Sequence, residues 1–242
     1  MKKISKSSEL LWVFGIVFVA LGVAICSKAN LGVSMIAAPA FVVQEAVAPV
    51  LASFTIGVSE YALQGLLLIL LCVFVQRFNW RYLLAFVVAM LYGYTLDLIL
   101  WLMSSITFDA VWLRWVMLLV GDVVTAFGVA CFFRTYMPLT VYELFVAETV
   151  DRFHIPLPRV KSIFDLTLLG ASIAMALLFF GDVTTFDWSA IGYTSFHNIG
   201  LGTLVTTAIN SPLIAAMGKL IDRTFDSTPR FPKMEKVLKT RG

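Results

Sequence analysis

Six stretches of this sequence are apolar along nearly their whole length: Leu10–Ser27, Tyr61–Val75, Tyr82–Met103, Trp112–Phe133, Ile163–Phe180 and Gly200–Leu220. A helix that crosses a bilayer needs about 20 such residues. A water-soluble chain of 242 residues could not bury six of them and still cover its surface with polar groups. The composition agrees: 60% of residues are hydrophobic and 14% charged, against about 45–50% apolar and about 25% charged in soluble domains. The predicted fold class is therefore an all-α membrane protein. The first run is continuous with the later ones and reads as a retained helix, with no cleaved leader expected.

Two further apolar stretches are shorter and interrupted. Residues 34–51 contain Pro39, Gln44, Glu45 and Pro49, and residues 140–153 contain Glu143, Glu148, Asp151 and Arg152. Such segments cross the membrane, or enter and return where protein or water shields their backbone. The distribution of Lys and Arg, which favour the cytoplasmic side, discriminates between these options. With both segments re-entrant there are six crossings, both termini lie in the cytoplasm, and 16 of the 18 basic residues face inward, leaving Lys28 and Arg114 outside. With both segments crossing, Arg77, Arg81 and Arg134 move outside and the count falls to 14 against 4. Six crossings fit better, and eight stay open as the alternative. The expected location is the inner (cytoplasmic) membrane, with the acid-bearing loop around Asp182 and Asp187 outside.

A shift of 106 residues lays Gly22-Val-Ala-Ile-Cys-Ser-Lys28 over Gly128-Val-Ala-Cys-Phe-Phe-Arg134, Ser34 over Thr140, and Glu45 over Asp151. Later parts follow at other offsets, ending in Gly93–Asp97 against Ser211–Ala215. Each half reads as helix, interrupted segment, helix, helix. The predicted organisation is a first membrane repeat over 1–107, a second over 108–222, and a basic cytoplasmic tail over 223–242. Three crossings is an odd number, so the second repeat is inserted upside down. Inverted repeats are a building plan of secondary transporters, with sites at the broken segments.

Ser27-Lys-Ala-Asn-Leu-Gly-Val-Ser34 resembles the "anLGvsp" signature of the YczE/YitT group of bacterial membrane proteins. Gly200-Leu-Gly-Thr203, running on to Asn210-Ser-Pro-Leu-Ile214, is similar to that group's closing helix. The resemblance covers nearly the whole chain and includes the duplicated layout. It implies an integral membrane protein related to transport, and supplies neither a substrate nor catalytic residues. Two departures stand out: a proline-containing turn, Arg134–Thr140, replaces a glycine-containing one, and Ser211 stands where the group has glycine.

Lys28 and Arg134 each end a long apolar helix before a turn into an interrupted segment. Ser34 and Thr140 can cap the helices that begin there, which sets orphan N–H groups and positive dipole ends nearby. A cation beside a helix N-terminus suits an anionic group; the plainer reading is snorkelling to headgroups. Asn30 and Asn210 add neutral hydrogen-bonding groups, as do Gln44, Gln64 and Asn198. Asp97 and Asp122 stand well inside apolar helices, where a carboxyl costs about 2.5–3.5 kcal/mol on insertion scales and is paired or functional; they are the candidates for proton coupling. Glu45, Glu143, Glu148 and Asp165 lie in or beside the interrupted segments and read as wet-side or charge-balancing groups.

Cys26, Cys72 and Cys131 lack the spacing of a disulfide framework or zinc site. His154 and His197 fall in different loops, so neither a metal nor a cofactor is expected, and no nucleophile–base arrangement points to an enzyme. The six tryptophans sit mostly near helix ends, as an interfacial belt does. The net charge of +3 resides largely in the tail, which suits membrane lipids better than nucleic acid. The expected function is a secondary carrier, an exporter or exchanger, for a small organic or amphipathic anion. A passive channel and a non-transporting membrane partner or ligand-binding subunit are the alternatives, and a homodimer is left open.

Overall fold

The computed structural model describes residues 4–5, 8–76, 78–80, 82–181 and 197–226. Eight helices make up nearly all of it: α1 (Ser8–Ala29), α2 (Ala38–Val47), α3 (Ile56–Val75), α4 (Tyr82–Leu102), α5 (Val111–Phe132), α6 (Val141–Phe153), α7 (Leu157–Phe180) and α8 (Leu201–Thr224). All but α2 and α6 are long and apolar enough to cross a bilayer. At 1.5 Å per residue, α2 spans about 15 Å and α6 about 20 Å, short of the roughly 30 Å hydrocarbon core. Exposed apolar side chains, Leu66, Ile69, Val73, Leu83, Val87 and Leu98 among them, clothe the outside of the bundle. In water that surface would aggregate; in lipid it is the solvated face. Trp80, Trp101 and Trp112 stand exposed at or beside helix ends. Arg77, Arg81, Asp182, Asp187, Trp188 and the tail beyond residue 226 lie outside the described residues.

Helix α1 packs most closely on α5, and the seam is built from small residues. A Cβ on Gly22 would stand 2.5 Å from the carbonyl oxygen of Gly121, and one on Gly128 would stand 3.0 Å from that of Gly15. Backbones this close gain dispersion contact where lipid offers no hydrophobic drive. The two contacts also fix direction: 22 meets 121 while 15 meets 128, so α1 and α5 run antiparallel. Four crossings before α5 would leave the two helices parallel, whereas three make them antiparallel. The packing thus requires a non-crossing α2, as six crossings demand.

Gly15 and Gly121, like Gly22 and Gly128, are 106 residues apart, so the contacts exchange under the repeat. Buried positions continue the match. In α3, Glu60, Gln64, Leu68, Leu71 and Val75 are buried; 101 residues on, so are Lys161, Asp165, Leu169, Ser172 and Ala176 of α7. In α4, Ala85, Val88, Tyr92, Gly93 and Leu96 are buried; 118 residues on, so are Thr203, Thr206, Asn210, Ser211 and Ile214 of α8. Each short helix packs across the repeat, α2 on α7 and α6 on α3. The chain is therefore two inverted repeats with interlocked half-helices.

Both half-helices bury their N-terminal ends and present their C-terminal ends to the surface: Ala38–Val42 and Val141–Leu144 are buried, while Pro49, Val50 and Asp151–His154 are exposed. The linkers that lead inward, 30–37 and 133–140, reach the interior without helical hydrogen bonding and are held by other elements. In the first, Val33 N donates to Asn198 O at 2.9 Å, Gly202 N to Leu31 O at 2.8 Å, and Thr203 Oγ1 to Val33 O at 2.7 Å. Gly32 takes φ +102° against the backbone of Gly200, a place only glycine fits. In the second, Trp12 Nε1 donates to Pro138 O at 2.7 Å, and Ser8 meets Thr135 through their hydroxyls. Residues Ile4–Ser5 pair in parallel with Phe225–Asp226, so the first and last described segments meet at one end of the bundle.

Candidate functional site

The inward ends of α2 and α6 meet at a cavity lined by Val19, Val23, Ser34, Ile36, Tyr92, Thr125, Thr140, Tyr142 and Glu143. Three pairs among these (19 and 125, 34 and 140, 36 and 142) are related by the 106-residue shift. The cavity therefore straddles the pseudo-two-fold axis between the repeats. It is closed down, with about 10 Å³ open to the centre of a water molecule, room for about one water.

Polar side chains crowd this centre, and each bond has a structural source. The N–H of Val141, which has no acceptor within its own helix at the start of α6, donates to Gln64 Oε1 of α3 at 3.1 Å. Tyr142 OH donates to Glu60 Oε2 at 3.1 Å. Thr140 Oγ1 donates to the carboxylate of Glu143, which sits in the first turn of α6 where a negative charge offsets the dipole. On the other repeat, Lys161 pairs with Asp165 one turn along α7, and Asn210 Nδ2 of α8 approaches Asp165 Oδ2 at 3.4 Å. Glu60, Asp122, Glu143, Lys161 and Asp165 are each at most 3% exposed. Asp122 lies within electrostatic range of Lys161 and Asp165, and Glu143 within range of the same two. Three carboxyls thus share one ammonium, and a fourth, Glu60, lies within range of Glu143. Full ionisation would leave the centre at −3 in a low-dielectric interior, so it must hold protons or another cation. Both oxygens of Asp122, Asn210 Oδ1, Ser34 Oγ and Ser211 Oγ have no hydrogen-bond partner among the described residues. Buried polar atoms left so are exceptional in folded proteins.

The residues expected to bind substrate fall in four places. Lys28 and Asn30 line an open pocket at the end opposite the termini, with Ser104, Thr107, Phe108 and Arg114. There Lys28 Nζ donates to Ser104 O at 3.3 Å, and Asn30 closes α1 with a left-handed φ of 53°. Arg134 lies at the other end, held by both carboxylate oxygens of Asp222 at 2.6 and 2.7 Å. Because α1 and α5 are antiparallel, symmetry that equates Lys28 with Arg134 also sets them on opposite faces; they form no joint site. Ser34 and Thr140 do meet, at the axial cavity. Neither hydroxyl caps its helix: Ser34 offers its carbonyl to Ala37 and Ala38, and the Thr140 hydroxyl turns to Glu143. Asn210 joins the Lys161–Asp165 pair.

The two proton-coupling candidates also part company. Asp122 is buried at mid-helix. Asp97 is five residues from the end of α4, half-buried, and accepts from Gly57 N at 2.8 Å and Thr55 Oγ1 at 2.7 Å. It closes the start of α3 and is not deep in the bundle. Glu45 accepts from His197 Nδ1 and Asn198 Nδ2, each at 2.8 Å, and His154 is an exposed left-handed cap of α6. Among the described residues no His, Cys, Asp or Glu cluster has the makings of a metal site.

Glu60, Lys161, Tyr92 and Tyr142 complete the centre without standing out in the sequence. Glu60 and Lys161 precede the apolar runs at Tyr61 and Ile163, and Lys161, one of the basic residues expected at the cytoplasmic side, is buried. The available signal was spacing: 60 and 64, like 161 and 165, are one helical turn apart on one face.

Six crossings, two half-inserted helices and a polar centre between inverted repeats define a multi-pass helical membrane protein. The chain belongs to a family of unknown function, DUF6198, whose model matches residues 6–219. No curated protein and no solved structure matches it.

Proposed function

We propose that the protein is a secondary carrier whose substrate and coupling protons pass through the axial centre, with Asp122 as the principal proton site. One observation carries the reading: four buried carboxyls and a single ammonium gather where two half-helices from opposite faces meet. Membranes tolerate buried charge where it does work, and broken helices on a pseudo-two-fold axis suit alternating access. The centre's acid excess weighs against the anion expected from Lys28 and Arg134, and in favour of a substrate that arrives as, or exchanges with, a cation. The cytoplasmic membrane, with both termini inside, accords with the basic residues. Alliance with the YczE/YitT group has this support: the two stretches that carry the resemblance, 27–34 and 200–203, bond to each other through Leu31, Val33, Gly202 and Thr203.

The test is proton flux in proteoliposomes containing a trapped pH dye, challenged with a panel of small amines and carboxylates. A carrier gives saturable, solute-dependent proton movement that Asp122→Asn abolishes. Absence of such movement with every solute, or full activity in Asp122→Asn, defeats the assignment.

A further inference from the structure

We propose that the axial cavity is a binding site for a sodium-sized monovalent cation, with Ser34, Thr125, Thr140, Tyr142 and Glu143 supplying its oxygens. The inference goes beyond the carrier reading, because it concerns what the closed centre holds whether or not the protein moves it.

The argument turns on which way the hydroxyl protons point. Thr125 Oγ1 donates to Gly121 O at 2.9 Å. Thr140 Oγ1 donates to Glu143, and Tyr142 OH to Glu60. A hydroxyl has one proton and two lone pairs. With the protons committed elsewhere, these three oxygens offer the cavity lone pairs only. Glu143 adds a carboxylate. Ser34 Oγ, 2% exposed and lining the same cavity, has no partner at all. The remaining lining is Tyr92, whose hydroxyl oxygen is a further candidate ligand, and the apolar side chains Val19, Val23 and Ile36. Against the two uncommitted hydroxyl protons, of Ser34 and Tyr92, the Glu143 carboxylate disfavours an anion there.

The positive ends of α2 and α6 disfavour a cation, and the Glu143 carboxylate in the first turn of α6 offsets this. Val141 N is held by Gln64, and Ala37 and Ala38 N by the Ser34 carbonyl. Oxygen-only donors suit hard cations, and the cavity's volume admits one ion of about water size. The charge argues for a monovalent ion: Glu143 is the single carboxylate in the lining, and Lys161 lies within its electrostatic range.

Thermal unfolding of the full chain in detergent tests this, comparing sodium chloride with choline chloride at equal ionic strength and constant pH. Sodium is expected to raise the unfolding temperature saturably while choline does not. Ser34→Ala, which disturbs no existing hydrogen bond, should weaken the apparent affinity for sodium several-fold, and Glu143→Gln should weaken it about tenfold or more. Equal responses to the two salts overturn the proposal and leave the cavity to water. A sodium-specific response unchanged in Ser34→Ala and in Glu143→Gln overturns it too, since the ion then binds elsewhere. No gradient or flux enters the measurement, so its failure is separate from that of the carrier reading.

Discussion

The two repeats match in shape and differ in chemistry. Small and apolar positions recur: Gly15 with Gly121, Gly22 with Gly128, Leu68 with Leu169. Of the polar positions facing the axis, the Ser34 and Thr140 hydroxyls recur and the rest do not. Glu60 and Gln64 of α3 stand where α7 has Lys161 and Asp165, and Tyr92 of α4 stands where α8 has Asn210. A duplicated unit has kept what holds the backbone crossing and lost identity where side chains meet the centre. Symmetry thus supplies two interchangeable frames, while the single ammonium makes one half electrostatically unlike the other. An exchange between inward- and outward-facing states would carry Lys161 in only one of the moving parts.

The sharpest way to break the comparison is to ask whether the frames are inverted. Asn30 follows α1 and Trp80 follows α3, with only α2 and α3 between them, and both are exposed. With native cysteines removed, Asn30→Cys should react with a membrane-impermeant thiol reagent from one side, and Trp80→Cys only from the other. The contrast should be all or none. Reaction of both from the same side would mean an even number of crossings between them and would dissolve the inverted repeat.

The next largest effect should separate the matched positions 60 and 161. Lys161→Met leaves Asp165 buried with no cationic partner, and breaking a buried pair by removing one member costs about 3–5 kcal/mol. Glu60→Gln keeps an acceptor for the Tyr142 hydroxyl and removes a like charge from the range of Glu143, so it should cost under about 1 kcal/mol. Chemical or thermal unfolding in detergent measures both. Comparable losses would show that the asymmetry has no energetic content.

Much of this was legible in the residues. The six long helices, the two half-inserted segments and their pairing at an offset of 106 all follow from apolar length and from Pro39, Glu45, Glu143 and Asp151 interrupting it. The site was less legible, for a physical reason. Apolar-run length locates lipid-facing surface, and α3 and α7 begin at Ile56 and Leu157, several residues before their apolar runs at Tyr61 and Ile163. The intervening turns carry Glu60 and Lys161, whose polarity makes them look like loop while other helices cover them. Asp97 failed in the opposite sense, because depth along an apolar run is not depth in the fold. Lys28 and Arg134 were correctly matched by sequence, but an inverted repeat sends matched residues to opposite faces unless they lie on the axis, as Ser34 and Thr140 do.

The smallest effect probes the shared frame. A Cβ at Gly22 would meet Thr125 N at 2.6 Å, and one at Gly128 would meet Val19 N at 2.7 Å. Both neighbours are backbone and neither can turn aside. Gly22→Ala and Gly128→Ala must therefore push α1 and α5 apart, at about 1–3 kcal/mol each by the usual cost of overpacking. Gly170 in α7 has nothing within 4 Å of its would-be Cβ, so Gly170→Ala should be neutral or stabilising, by up to about 1 kcal/mol from helix propensity. Unfolding temperatures of the three variants give the comparison directly. Equal losses at 22 and 128, with none at 170, would place the strain on the two-fold seam. A large loss at one and not the other would mean that the two ends of the seam do not bear load alike, and that the symmetry of the contacts is not a symmetry of their energies.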